Sequence, residues 1–82
     1  MVLKDTIDLM LSEDYKKRFK AEYYQLKIRR DKLAKTCEDF MEYKLTFTPA
    51  CDMHILFAQV AIMDSYIALL EHRAKCEHID LD

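Results

Sequence analysis

The 82-residue chain has no glycine, no tryptophan and a single proline. A β-sandwich or barrel of this length needs several tight turns, many at positive φ, and glycine reaches positive φ without steric cost. Its absence argues against an all-β fold. It also excludes the glycine-rich phosphate loops and dinucleotide fingerprints, whose backbones must approach the phosphate closely. Cysteine is scarce: Cys37, Cys51 and Cys76 are an odd number without framework spacing, and no basic-then-apolar leader precedes them. They are expected as reduced thiols in a cytoplasm. The longest weakly charged stretch, Met53 to Leu70, is interrupted by His54, Gln59 and Asp64. A central aspartate costs about 2.5 to 3.5 kcal/mol on insertion scales, so no membrane association is expected.

The hydrophobic share of 51% exceeds what a disordered chain carries, and together with a charged share of 34% it suits amphipathic helices. The expected fold class is all-α: a long antiparallel helical hairpin with a short N-terminal helix, associating into a helical bundle, within one domain over residues 1–82. Residues 1–11 place Leu3, Ile7, Met10 and Leu11 at helical spacing, as a short helix or arm. Ser12 before Glu13 and Asp14 reads as an N-cap with acids in the first turn. The helix it predicts runs over 13–43, with a seam of Phe19, Tyr23, Leu26, Leu33, Cys37 and Phe40. Residues 44–48 are β-rich and form the turn. Thr48-Pro49 is a helix start signal, so a second helix is predicted over 49–76, followed by a tail over 77–82.

The second helix carries more apolar surface than one partner helix can cover. Beside its seam of Met53, Leu56, Val60, Met63, Ile67, Leu70 and Ala74 lies a stripe of Ile55, Gln59, Ile62, Tyr66 and Leu69. Another stripe is small: His54, Ala58, Ala61, Ser65, Ala68 and His72. One neighbour covers about a third of a helix's circumference, and soluble monomers rarely leave the rest apolar and bare. A homo-oligomer, most simply a dimer, is therefore expected, with Ile55, Ala58, Ile62, Tyr66 and Leu69 at the interface. A monomeric three-helix bundle is the alternative.

The net charge of −2 hides an uneven layout. Residues 16–35 hold nine lysines and arginines against Glu22 and Asp31, whereas residues 49–82 sum to −4. Helical spacing aligns Tyr15, Arg18, Glu22, Gln25, Arg29 and Lys32 on one edge. Such a line offers guanidiniums for phosphate or carboxylate, an amide for a base or ribose edge and a ring for stacking. The plain alternative is a solvated helix face. Arg30 interrupts the apolar seam and needs a carboxylate; Asp64, the only one between Asp52 and Glu71, is the expected partner in a structural ion pair that fixes register.

Catalysis and metal binding find no support. Cys51-x-x-His54 and His72-x-x-x-Cys76 sit at opposite ends of the second helix, about 30 Å apart at 1.5 Å per residue. No metal or other cofactor is expected. No nucleophile–base or paired-carboxylate arrangement stands out, so no catalytic residues are assigned and the chain is expected not to be an enzyme.

The run Asp14-Tyr15-Lys16-x-Arg18-Phe19-x-Ala21-Glu22-Tyr23-x-Gln25-x-Lys27-Ile28-Arg29-x-x-Lys32-Leu33, with Leu3-Lys4-Asp5-Thr6-Ile7 before it and Leu70-Glu71-x-Arg73-Ala74 after it, resembles a family of short helical proteins. These are encoded by tailed phages and prophages of gut bacteria, including a crAss-like phage. The resemblance covers most of the chain and is weakest in the loop and early second helix. It implies a small accessory phage protein acting in the host cytoplasm. By analogy with other small helical phage oligomers, it suggests a non-enzymatic counter-defence protein that sequesters a phosphorylated nucleotide-type signal. Tyr15 would stack the base, Arg18, Arg29 and Lys32 would hold phosphates, and Gln25 and Glu22 would contact base or ribose. The alternative partner is a host or phage protein, docked through a face bearing Tyr24 and Ile28. Weak nucleic-acid binding through the basic stretch is a third, less favoured reading.

Overall fold

A computed structural model describes residues 1–81. A 3-10 turn over Leu3–Thr6 runs into a single helical turn, α1, over Ile7–Met10; two long helices follow, α2 over Tyr15–Met41 and α3 over Met53–Cys76. No strand occurs among the described residues. The class is all-α, a long hairpin with a short helix at its N-terminal end, measuring 43 × 25 × 19 Å.

The helix ends explain how a chain without glycine turns. Tyr43 (φ 58°) and His78 (φ 56°) occupy the left-handed region just beyond α2 and α3. The Lys44 N–H reaches back to the Asp39 carbonyl at 2.8 Å, and the Ile79 N–H reaches the Ala74 carbonyl, also at 2.8 Å. This six-residue closure is the Schellman motif, usually built on glycine. Here a tyrosine and a histidine take the conformation, at the steric cost a Cβ imposes there.

Two boundaries differ from the sequence reading. The cap of α2 is Asp14, whose carboxylate accepts the Lys16 N–H at 2.9 Å; Ser12 Oγ is occupied with the Asp14 N–H at 3.0 Å. Ser12 thus shapes the turn between α1 and α2 rather than capping the helix. The second helix starts at Met53, with extended Asp52 before it, and not at Pro49. Pro49 instead joins Phe40, Tyr43, Leu45, Phe47 and Thr48 around an apolar cleft of ≈ 360 Å³ at the hairpin end. The connection therefore spans residues 42–52, longer than the expected turn at 44–48.

The core sits at the opposite end. Phe19, Tyr23, Leu70, Ala74 and Ile79 form it, with Leu26, Ile67 and Leu81 packed against it. Ile79, assigned to a tail by its position, is buried: the closure at His78 folds the chain back onto Ala74. On another side of α2, the N-terminal segment buries Thr6, whose hydroxyl donates to the Leu3 carbonyl at 2.7 Å. Ala21 is buried one turn from Gln25, so α2 presents a small side chain where that segment lies. At the hairpin end only two helices meet, and the seam residues Leu33, Met53, Leu56, Val60 and Met63 are half-buried. Helix α3 is long and apolar enough to cross a membrane by length and composition, yet Leu70 and Ala74 are its only buried residues.

Candidate functional site

The six side chains aligned along α2 meet three different environments. Tyr15 donates to Glu77 Oε1 at 2.7 Å and accepts from Arg73 Nη2 at 2.8 Å, while Arg73 Nε donates to Glu77 Oε2 at 3.0 Å. The Arg73 guanidinium also lies over the Phe19 ring, 5.1 Å from its centroid. These contacts close the C-terminal end of α3 onto the start of α2. The Tyr15 hydroxyl and Arg73 hold the Glu77 carboxyl below its ordinary range, and the same hydrogen bond raises the Tyr15 phenol.

The middle of the line is also tied down. Arg18 Nη1 donates to the Ser12 carbonyl at 2.8 Å. Glu22 accepts a hydrogen bond from the Tyr66 hydroxyl, which raises the Tyr66 phenol. Gln25 Nε2 donates to Thr6 Oγ1 at 2.9 Å and contacts Met10 Sδ at 3.5 Å. Gln25 therefore anchors the N-terminal segment, and Glu22 bridges to α3. The six residues do not form one continuous open surface, because the polar groups of Tyr15, Arg18, Glu22 and Gln25 serve as attachment points for neighbouring segments.

Arg29 and Lys32 are different. Neither side chain has a hydrogen-bond or ion-pair partner among the described residues, although the Lys32 carbonyl accepts from the Thr36 hydroxyl at 3.3 Å. They share a cleft of ≈ 420 Å³ with Leu3 of the N-terminal turn, Leu33 and Thr36 of α2, and Gln59 and Met63 of α3. Helical spacing puts Arg29 and Lys32 on one face, a turn apart. The cleft thus brings two unpaired cations, one hydroxyl and one amide onto an otherwise apolar lining. Its volume lies within the range of about 300 to 1,000 Å³ common for small-ligand sites. The sequence reading singled out Arg29 and Lys32 but not Leu3, Thr36, Gln59 or Met63. Gln59 carried a signal, as the one amide in the stripe from Ile55 to Leu69. Leu3 was read only as part of the N-terminal apolar face; its place beside Arg29 and Lys32 is set by the N-terminal fold.

The remaining singled-out residues are placed as follows. Arg30 Nε donates to Asp64 Oδ1 at 2.6 Å and Nη2 to Oδ2 at 3.3 Å, a bidentate pair between α2 and α3 that is part-exposed rather than buried. Ile55, Ala58, Ile62, Tyr66 and Leu69 all lie exposed on α3. Cys37 is buried, Cys51 and Cys76 are exposed, and no cluster of three or more potential metal ligands forms among the described residues.

The family comparison covers both long helices: the Sequestin family model matches residues 13–76. The chain belongs to the Sequestin family. The match begins just before α2 and ends at the last residue of α3, so it includes Arg29, Lys32, Thr36, Gln59 and Met63 and leaves Leu3 outside. No curated protein and no solved structure matches the chain. The family's name points to sequestration, which is binding rather than turnover.

Proposed function

We propose that this Sequestin-family chain binds and withholds a small phosphorylated, nucleotide-type signal without altering it. The observation that carries the reading is the cleft in which Arg29 and Lys32 stand unpaired beside Gln59 and Thr36. Arginine binds phosphate through paired N–H donors and lysine as a point charge. Leu3, Leu33 and Met63 supply the apolar surface a base or ribose can cover, and Gln59 offers both a donor and an acceptor to a base edge. Without glycine the chain has no backbone cradle for phosphate, so side chains must neutralise it. The resemblance to phage and prophage proteins supports a counter-defence role in the host cytoplasm, where removing a free signal requires affinity and no chemistry.

A thermal-shift screen with cyclic dinucleotides, cyclic ADP-ribose isomers and mononucleotides tests the reading. A ligand at 100 times its dissociation constant contributes about 2.7 kcal/mol to stability, which a melting curve resolves easily. The ligand recovered after denaturing the complex should have its original mass. Failure of every nucleotide to shift the melting point, together with specific capture of one host protein, would favour the rival reading of a helical interaction module. Salt-dependent retardation of DNA would favour nucleic-acid binding instead.

A further inference from the structure

We infer that the hairpin end docks a basic, apolar-flanked segment of a partner polypeptide in the cleft between Phe40, Tyr43, Phe47 and Pro49. This cleft of ≈ 360 Å³ shares no residue with the one that holds Arg29 and Lys32. Phe40 is fixed edge-on against Phe57 of α3, with ring centroids 6.5 Å apart. Phe47 in the connection stays 58% exposed.

Tyr43 is the residue that the fold alone explains least. It is 98% exposed and so gains no packing, yet it holds φ 58° where a helix end ordinarily takes glycine or asparagine. His78 accepts the same steric strain, but there the closure brings Ile79 into the core. At Tyr43 the closure leaves a free ring at the edge of the cleft. Strain held where nothing in the chain requires it points to a use outside the chain.

Charge defines the partner. Residues 38–52 carry Glu38, Asp39, Glu42 and Asp52 against Lys44 alone. Lys44 is held by Glu42 at 3.0 Å and Asp39 by Lys35 at 3.0 Å, which leaves Glu38 and Asp52 without an ion-pair partner among the described residues. Asp52 offsets the positive end of α3 without making a side-chain cap bond. The last turn of α2 has no basic residue, whereas that of α3 has Arg73 and Lys75. The carbonyl end of α2 is thus a negative pole to which the sequence adds acids instead of bases. A guanidinium or ammonium group from a partner supplies the missing cation, and the rings of Tyr43 and Phe47 receive it and its apolar neighbours. The same acids disfavour an anionic bilayer surface or a nucleic acid as occupant.

The test is a titration of the isotope-labelled chain, followed by amide NMR signals, with a short peptide of alternating arginine and leucine. That peptide should move the signals of residues 38–52, while a glutamate–leucine peptide should not and an arginine–serine peptide should bind more weakly. Tyr43→Asn suits the left-handed conformation better than tyrosine, so its melting point should hold or rise while peptide affinity falls. Glu38→Gln with Asp52→Asn should lower affinity by about tenfold or more, the loss of charge-assisted contacts, and leave the helical circular dichroism unchanged. Unchanged affinity in Tyr43→Asn overturns the inference, as does an acidic peptide that moves the same signals equally. So does movement of those signals by anionic vesicles, or by raised chain concentration without peptide, which would make the occupant a membrane or a second copy. Because Arg29 and Lys32 take no part in these readouts, failure here is distinguishable from failure of the ligand reading.

Discussion

Arg30 grips Asp64 across the hairpin through two hydrogen bonds, Nε to Oδ1 at 2.6 Å and Nη2 to Oδ2 at 3.3 Å, and also touches Asp31 at 3.3 Å. The pair stands where the apolar seam of α2 would otherwise continue, so it fixes which turn of α3 faces which turn of α2. Asp64 raises the Arg30 guanidinium further above its already high range. Water reaches both side chains, so the register effect should exceed the stability effect. Asp64→Asn should lower the melting point only slightly, and the difference should shrink in high salt. The amide–proton exchange pattern of α2 and α3 on either side of the pair should nonetheless change.

The attachment of the N-terminal segment rests on Thr6, which is fully buried, with its hydroxyl donating to Leu3 and accepting from Gln25. Thr6→Val keeps the shape and removes both bonds, leaving a carbonyl and an amide unsatisfied. The expected loss is about 1 to 3 kcal/mol, at about 4 to 8 °C per kcal/mol for a domain of this size. Leu3 forms part of the cleft, so nucleotide binding should weaken along with the melting point.

Neighbouring leucines on α3 give opposite predictions. Leu70 is 1% exposed within the core and Leu69 is 63% exposed outside it. Leu70→Ala should cost about 2 to 5 kcal/mol. Leu69→Ala, on the exposed face, should leave stability within about 0.5 kcal/mol. Denaturant melts of the two variants beside the unmodified chain check both expectations.

Burial, with help from the hydrogen bond to Glu71, pushes the Tyr23 phenol up to about 12. A raised phenol favours the folded state at neutral pH, and that contribution is lost as pH climbs from the ordinary tyrosine value near 10 through about 12. Glu77 has the opposite sign. Its carboxyl is lowered by Tyr15 and Arg73, so its contribution is full above the ordinary glutamate range and fades as pH falls below it. Stability should therefore decline at both ends. Tyr15 and Tyr66 are raised as well, so phenolate absorbance should show several late tyrosines, and Tyr23→Phe should remove the step that accompanies alkaline unfolding.

Much of this fold can be inferred from spacing. The seams on α2 and α3, the lack of turn glycine and the Arg30 interruption all follow from local pattern. What the pattern hides is set by long-range contact. Thr48-Pro49 looks like a helix start, but Pro49 lines the apolar cleft with Phe40 and Phe47, and α3 begins at Met53 with Asp52 before it. Ile79 looks like tail, yet a left-handed His78 turns it into the core. The polar line of α2 is visible in the sequence, but its division is not. Tyr15, Glu22 and Gln25 are taken up by Glu77, Tyr66 and Thr6, partners 62, 44 and 19 residues away. Only the folded chain leaves Arg29 and Lys32 to share a cleft.

The most direct test of the central claim is native mass spectrometry of the chain with the nucleotide panel, compared with a variant carrying Arg29→Ala and Lys32→Ala. The account predicts an intact phosphorylated nucleotide bound to the unmodified chain and released unchanged. Losing two charge-assisted contacts, at about 1.5 to 3 kcal/mol each, should abolish that complex, while Lys17→Ala with Lys20→Ala should retain it. Equal occupancy in the Arg29 and Lys32 variant, or no nucleotide bound by the unmodified chain, would contradict it.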